Sequence, residues 1–192
     1  MTTMRDFIEI LQNNELDEGG AGVGRLVTHI REGMPFFMIS AMRGDLSHSE
    51  NLRRTLMLKS KLRKLPLTFI STEGEYHEKG RDTPSPELSF FVMAGHKDGI
   101  TDTDKMIYLA TRLMHIFQQD SVLIGNGERI YLLENDGNEF AIGNAASFSM
   151  DVVKKSVAHS KIRGRKFTFT NTGDTPGSTK YAQDKLVANA KK

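Results

Sequence analysis

The sequence of 192 residues contains no cysteine. This absence excludes disulfide bonds, zinc sites built on thiolates and a cysteine nucleophile. Long apolar segments are missing as well. The longest apolar runs, such as residues 34–38, are far shorter than the roughly 20 apolar residues that a helix needs to cross a bilayer. No segment has the pattern of a signal peptide. We therefore expect an intracellular protein without a membrane partner.

An excess of charge is also missing, since 26 basic residues face 24 acidic ones and the formal net charge is +2. The two signs are interspersed, so no overall field favours nucleic acid or an anionic surface as a partner. One local cluster of basic residues stands out, and we interpret it as the solvated face of a helix. Its members are Arg53, Arg54, Lys59, Lys61, Arg63 and Lys64.

Recognisable catalytic and cofactor motifs are absent too. None of the six histidines has an H-x-x-x-H spacing, and there is no cysteine to complete a ligand set, so no metal site is predicted. Ser40 ends an apolar run but lacks the glycines of a nucleophile elbow. The glycine-rich residues 19–24 follow no predicted strand and precede no Gly-Lys-Ser/Thr, which favours a flexible link over a phosphate-binding loop.

Periodic segments lie between residues 34 and 146, and the polar composition lies at the two ends. A helix over residues 48–64 is indicated by the capping spacing Ser47 to Glu50 and by a leucine stripe, and a second helix follows residues 101–104. Short apolar runs predict strands on either side of each helix. The predicted strands are 36–41, 67–71, 88–94, 121–124, 129–134 and 139–142, with 166–170 as a further edge strand. The leucine stripe consists of Leu52, Leu56, Leu58, Leu62 and Leu65.

The order β-α-β-β-α-β-β-β predicts an α/β (α+β) fold. We expect a two-layer sandwich, in which a mixed β-sheet carries both helices on one face. Residues 34–146 would form this domain. Residues 1–33 are predicted to be a flexible N-terminal extension, and residues 147–192 a basic polar C-terminal extension that is partly disordered.

One acidic residue has an unusual context. Glu87 opens the apolar run 88–94, so a strand would hold its carboxylate in place. Tyr76 lies eleven positions earlier, on the polar loop that leaves the preceding predicted strand. Composition alone assigns neither side chain a role, because isolated glutamate and tyrosine side chains are commonly exposed or structural.

Four ordered stretches change that assessment: residues 37–43, 50–54, 71–76 and 119–123. Together they resemble the bacteriophage S-adenosylmethionine (SAM) hydrolases, better described as SAM lyases, over residues 35–135. The same strand and helix skeleton also resembles a bacterial domain family of unknown function.

The resemblance to SAM lyases implies a catalytic pair, Tyr76 and Glu87. It also implies that Ser40, Ala41 and Met42 place backbone groups near the adenine or ribose, with Gln119 and Asp120 as further contributors. SAM would be the substrate, and no cofactor or metal would be needed. The family implies a homotrimer with sites between subunits, acting in the host cytoplasm against SAM-dependent restriction.

Several readings stay open. SAM would be cleaved to 5′-methylthioadenosine and homoserine lactone by its own carboxylate, or it would be hydrolysed to homoserine with Glu87 as general base. Two alternatives are not enzymes. The protein would be a non-catalytic phage inhibitor that binds a host enzyme through residues 53–64, or it would be a component of the virion.

Overall fold

A computed structural model describes residues 23–76, 85–94, 102–144, 148–150, 160–162 and 165–169. The helices are α1 (Val23–Arg31), α2 (His48–Leu62) and α3 (Thr103–Ile116). The strands are β1 (Phe36–Ser40), β2 (Thr68–Tyr76), β3 (Ser85–Met93), β4 (Ser121–Gly125), β5 (Ile130–Glu134), β6 (Glu139–Gly143), β7 (Phe148–Met150), β8 (Ser160–Ile162) and β9 (Arg165–Phe169). Within these residues no helix is both long and apolar enough to cross a membrane.

The nine strands form one sheet in the order β6-β5-β4-β1-β3-β2-β8-β9-β7. The centre of the sheet contains two split β-α-β units, β1-α2-β2 and β3-α3-β4. In the first unit β3 lies between the two strands, and in the second unit β1 does. This is the ferredoxin-like arrangement. The predicted α+β fold is confirmed. The sheet is antiparallel in every described pair rather than mixed, because each crossover leaves room for an intervening antiparallel strand.

Helices α2 and α3 pack on one face of the sheet, as predicted. Alternate residues of the central strands point toward these helices and join them in the larger core. The members from the strands include Phe37, Ile39, Phe90, Val92, Val122 and Ile124, and those from the helices include Leu58, Leu62, Met106, Ala110, Leu113 and Met114.

Helix α1 covers part of the opposite face, which the two-layer prediction left bare. Leu26 and Ile30 are fully buried there against Phe36, Phe91 and Ile130. A nine-residue helix is marginal alone, so tertiary packing stabilises it. The predicted flexible extension of residues 1–33 therefore differs from the structure over residues 23–33, and residues 1–22 lie outside the described residues.

The sheet also extends into the region predicted as a C-terminal extension. Strand β8 pairs with the outer edge of β2, and β9 and β7 follow it. Strand β9 (Arg165–Phe169) corresponds to the predicted strand 166–170, but it lies between β8 and β7 and is not the predicted edge strand. The domain thus continues beyond residue 146, and residues 170–192 are not among those described.

The buried side of α2 differs from the predicted leucine stripe. Leu58 and Leu62 are buried as expected, but Leu56 is 46% exposed, and Asn51, Thr55 and Lys59 take buried positions. The interpretation of the basic cluster as one solvated face is wrong for Lys59, which is 3% exposed, and for half-buried Arg54. Ser47 caps the helix by accepting from the Glu50 amide at 3.3 Å, while the Glu50 carboxylate binds Arg53.

Candidate active site

Glu87 lies near the beginning of β3, where that strand pairs with β2 and has not yet reached its pairing with β1. It is opposite Gly74 of β2, and two residues further on Ser89 is opposite Ser40 of β1. Because side chains alternate between faces along a strand, Glu87, Ser89 and Ser40 share one face. This is the face that α1 covers further along the sheet.

Burial raises the pKa of the Glu87 carboxyl above its ordinary value, and a side-chain hydrogen bond with Ser40 acts in the opposite direction. The side chain is half-buried. Desolvation disfavours the carboxylate form, so the ionised group gains from any cation that comes next to it. A positive charge next to Glu87 would therefore favour its ionised form.

Ser40 links the end of β1 to the beginning of β3. Its hydroxyl donates to the Leu88 carbonyl at 3.0 Å and accepts from the Met42 amide at 3.1 Å. The Met42 sulfur in turn accepts from the Leu88 amide at 3.2 Å. The one hydroxyl hydrogen of Ser40 thus has two acceptors near it, the Leu88 carbonyl and the Glu87 carboxylate.

The loop that follows β1 is held by side chains from α2. The Asn51 amide accepts from the Arg43 backbone N–H and donates to the Arg43 carbonyl, both at 2.8 Å. Arg54 donates to the Ala41 carbonyl at 2.7 Å and to the Phe117 carbonyl at the end of α3. These contacts fix the backbone of residues 41–43 against both helices.

Gln119 reaches the same loop from the other side. Its amide donates to the carbonyls of Met42 and Phe117, both at 3.1 Å. Asp120 is exposed, and its backbone carbonyl accepts from Asn135 at 2.9 Å. Its carboxylate contributes to raising the pKa of Arg43, whose largest cause is the hydrogen bond with Asp45.

Tyr76 is the last residue of β2 rather than part of a loop. It is paired with Ser85, two positions beyond the Gly74–Glu87 pair, so the backbones of the predicted catalytic residues are close together. Residues 72–76 and 85–87 were predicted to belong to a loop because they are mostly polar and because Pro86 disfavours regular structure. Both strands nevertheless extend through this segment, and Pro86 lies within β3 opposite Glu75.

The structure thus joins Ser40, Met42 and Glu87 in one network, with Gln119 bound to Met42. From the sequence alone, Asn51 and Arg54 received no role at the site, although both lie in the stretch 50–54 that carried the resemblance. A polar residue among leucines at helical spacing is the signal that would have identified Asn51 as buried. The small cavity between α1 and the other end of β1, lined by Ile30, Phe36 and Gly125, is remote from Glu87.

Fold and site together define an α+β protein with a half-buried, desolvated carboxyl group where two adjacent strands of its sheet meet. The family model for the S-adenosylmethionine lyase family matches residues 37–172, which is most of the chain. The chain belongs to this family. The predicted resemblance is confirmed, and the match continues past residue 146 to include β7, β8 and β9.

No curated protein sequence is similar to the chain. Among solved structures, a phage SAM lyase in complex with S-methyl-5′-thioadenosine is similar, with 17% sequence identity and a TM-score of 0.31. The similarity covers 56% of this chain and 85% of that chain.

Proposed function

We propose that the protein degrades SAM to 5′-methylthioadenosine and homoserine lactone. Family membership supports SAM as the substrate. The observation that carries the assignment of the site is the half-buried Glu87, fixed by strand pairing, whose desolvated carboxylate would be stabilised by a cation placed next to it. SAM carries two such cations, its sulfonium and its ammonium.

The proposed reaction requires no nucleophile from the protein. An oxygen of the substrate carboxylate attacks the γ-carbon of the methionine moiety, and the bond between that carbon and sulfur breaks. The bonding pair stays on sulfur, which becomes a neutral thioether, and the carboxylate becomes the ester of a five-membered lactone. Holding a chain in such a near-attack geometry contributes as much as about 7–11 kcal/mol to lowering a barrier.

Glu87 would bind the ammonium or sulfonium and so direct the substrate carboxylate toward the γ-carbon. Tyr76 would form a hydrogen bond at the same end, and an aromatic ring beside a sulfonium contributes about 0.5–2 kcal/mol. Backbone groups of Ser40, Ala41 and Met42, held by the loop contacts, would receive the adenine or ribose. Gln119 supports this loop through the Met42 carbonyl, and Asp120 would be a further contributor to substrate binding beside it.

Hydrolysis is the alternative reaction, in which Glu87 takes a proton from water as the water attacks the same carbon. Cleavage in ¹⁸O-labelled water distinguishes the two. We expect lactone trapped early to be unlabelled, and homoserine formed later to carry ¹⁸O in its carboxylate, because the lactone opens at its carbonyl. Homoserine labelled at the hydroxyl oxygen, with no lactone before it, would overturn the lyase mechanism.

We further propose that the enzyme is a homotrimer with sites between subunits, as the family resemblance implies. Loss of SAM would deprive host restriction systems of their cofactor, so the activity would be exercised in the cytoplasm of an infected cell. Light scattering on the purified protein tests the assembly. A mass of about 65 kDa is expected, three times the 21.5 kDa chain, and a monomer would contradict it.

A further inference from the structure

Gly74 occupies an unusual position in the sheet. It is an interior residue of the nine-residue strand β2, and it is paired on both sides, with Glu87 of β3 and with Ser160 of β8. Glycine weakens a strand interior because it adds backbone entropy to the unfolded chain and contributes no side chain to packing. Its presence directly opposite Glu87 therefore needs a reason.

Neither the backbone nor the packing of the described residues requires glycine there. The φ angle of Gly74 is not among the positive ones, unlike those of Gly33, Gly127 and Gly137. A β-carbon added at Gly74 would lie 3.8 Å from the Glu87 β-carbon and 3.7 Å from the Glu87 carbonyl oxygen, which is ordinary van der Waals contact. Gly125 is the opposite case, because a β-carbon there would overlap the Phe36 ring.

Among the residues that the structure describes, Glu87 alone has atoms within 4 Å of a β-carbon added at Gly74, so glycine leaves space there beside the carboxyl group. Any side chain at position 74 would stand on the same face as Glu87, in contact with it, since the two residues are directly opposite. The next positions on this face, Thr72 and Ser89, are tied together by the Thr72 hydroxyl, which donates to the Ser89 carbonyl at 3.3 Å. The space is therefore bordered on one side by the hydrogen-bonded pair Thr72 and Ser89, and on the other by the carboxyl group of Glu87.

We propose that Gly74 is a specificity-determining residue that makes room for the cationic head of the substrate against Glu87. This inference rests on the proposed function. A sulfonium or ammonium carries its charge on methyl, methylene or N–H groups. Van der Waals contact between such groups and the carboxylate needs the volume that a side chain at position 74 would fill.

The test is the pair of variants Gly74→Ala and Gly74→Val, measured for thermal unfolding and for SAM turnover. A β-branched residue favours a strand, so we expect the melting temperature of Gly74→Val to be unchanged or higher. We expect its KM for SAM to rise about tenfold or more, equivalent to about 1.4 kcal/mol, with a smaller rise for Gly74→Ala. A merely structural role for Gly74 would lower stability and leave KM unchanged.

Gly125→Ala is the matched control, expected to lower the melting temperature without raising KM, because its clash with Phe36 lies at the other end of β1. An unchanged KM in the folded Gly74→Val variant would overturn the inference. If that variant does not fold, Gly74→Ala decides in the same way. A wild-type protein that leaves SAM intact contradicts the proposed function instead, so the two failures are distinguishable.

Discussion

Glu87 and its immediate neighbours determine what the site can do. Its position in the sequence, opening an apolar run, correctly predicted a carboxylate held by a strand. The resemblance to SAM lyases was needed to give that carboxylate a role. The partners of Glu87 were out of reach of the sequence, because Ser40 and Gly74 come next to it only through the register of three strands.

The raised pKa of Glu87 predicts a pH-dependent effect of Glu87→Gln on stability. A carboxyl whose folded-state pKa is raised contributes stability below its unfolded pKa of about 4.3, and this contribution is lost as pH rises through the folded pKa. We expect the free energy of unfolding of Glu87→Gln, minus that of the wild type, to increase over this window and then stay constant.

Urea unfolding of both proteins at a series of pH values measures this difference. Other titrating groups, such as Asp45 and Glu50 with their lowered pKa values, are present in both proteins and cancel. A difference that is independent of pH, or that decreases as pH rises, would show that Glu87 is not desolvated.

Helix α2 has a second role besides covering the sheet, because it holds the loop after β1. The spacing of residues 47–64 correctly predicts this helix and its cap, but the leucine pattern gives the wrong inner face. Asn51 is buried instead, since its amide supplies both a donor and an acceptor to the Arg43 backbone. Such tertiary hydrogen bonds override the hydrophobic pattern and are invisible to it.

Replacing Asn51 by alanine should therefore loosen the loop. Two backbone groups of Arg43 would lose their partner, and we expect a loss of about 1–3 kcal/mol in the free energy of unfolding. Because the same loop carries Met42, we also expect kcat/KM for SAM to fall by about ten- to a hundredfold.

Arg53→Ala is the control on the same helix. Its side chain is exposed and pairs with Glu50, so the change should cost less than about 1 kcal/mol and leave turnover unaffected. Equal effects of Asn51→Ala and Arg53→Ala on kcat/KM would argue against a positioning role for Asn51.

The folded domain is larger than the predicted one. Helix α1 covers part of the second face of the sheet, and strands β8, β9 and β7 extend the sheet beyond β2. Helix α1 was not predicted because its short segment follows a glycine-rich run, although Val23, Leu26, Val27 and Ile30 have the spacing of an apolar helix face. Strands β7 and β8 have three residues each, too few for any periodicity to be visible. Both elements depend on contacts with distant parts of the chain.

If α1 belongs to the fold, Leu26→Ala should be strongly destabilising. Its side chain is fully buried in the second core, and removing a buried leucine side chain costs about 2–5 kcal/mol. Thr28→Ala, on the exposed side of the same helix, should change stability by less than about 0.5 kcal/mol. Urea denaturation of the full chain measures both, and a small effect of Leu26→Ala would mean that α1 does not pack on the sheet.

The most direct test of the account is to incubate SAM with the purified wild-type protein and with Glu87→Gln, and to separate the products by chromatography. We predict that the wild type converts SAM to 5′-methylthioadenosine, and that a folded Glu87→Gln variant loses nearly all of this activity. Intact SAM after incubation with the wild type, or undiminished cleavage by the variant, would contradict the role assigned to this carboxylate.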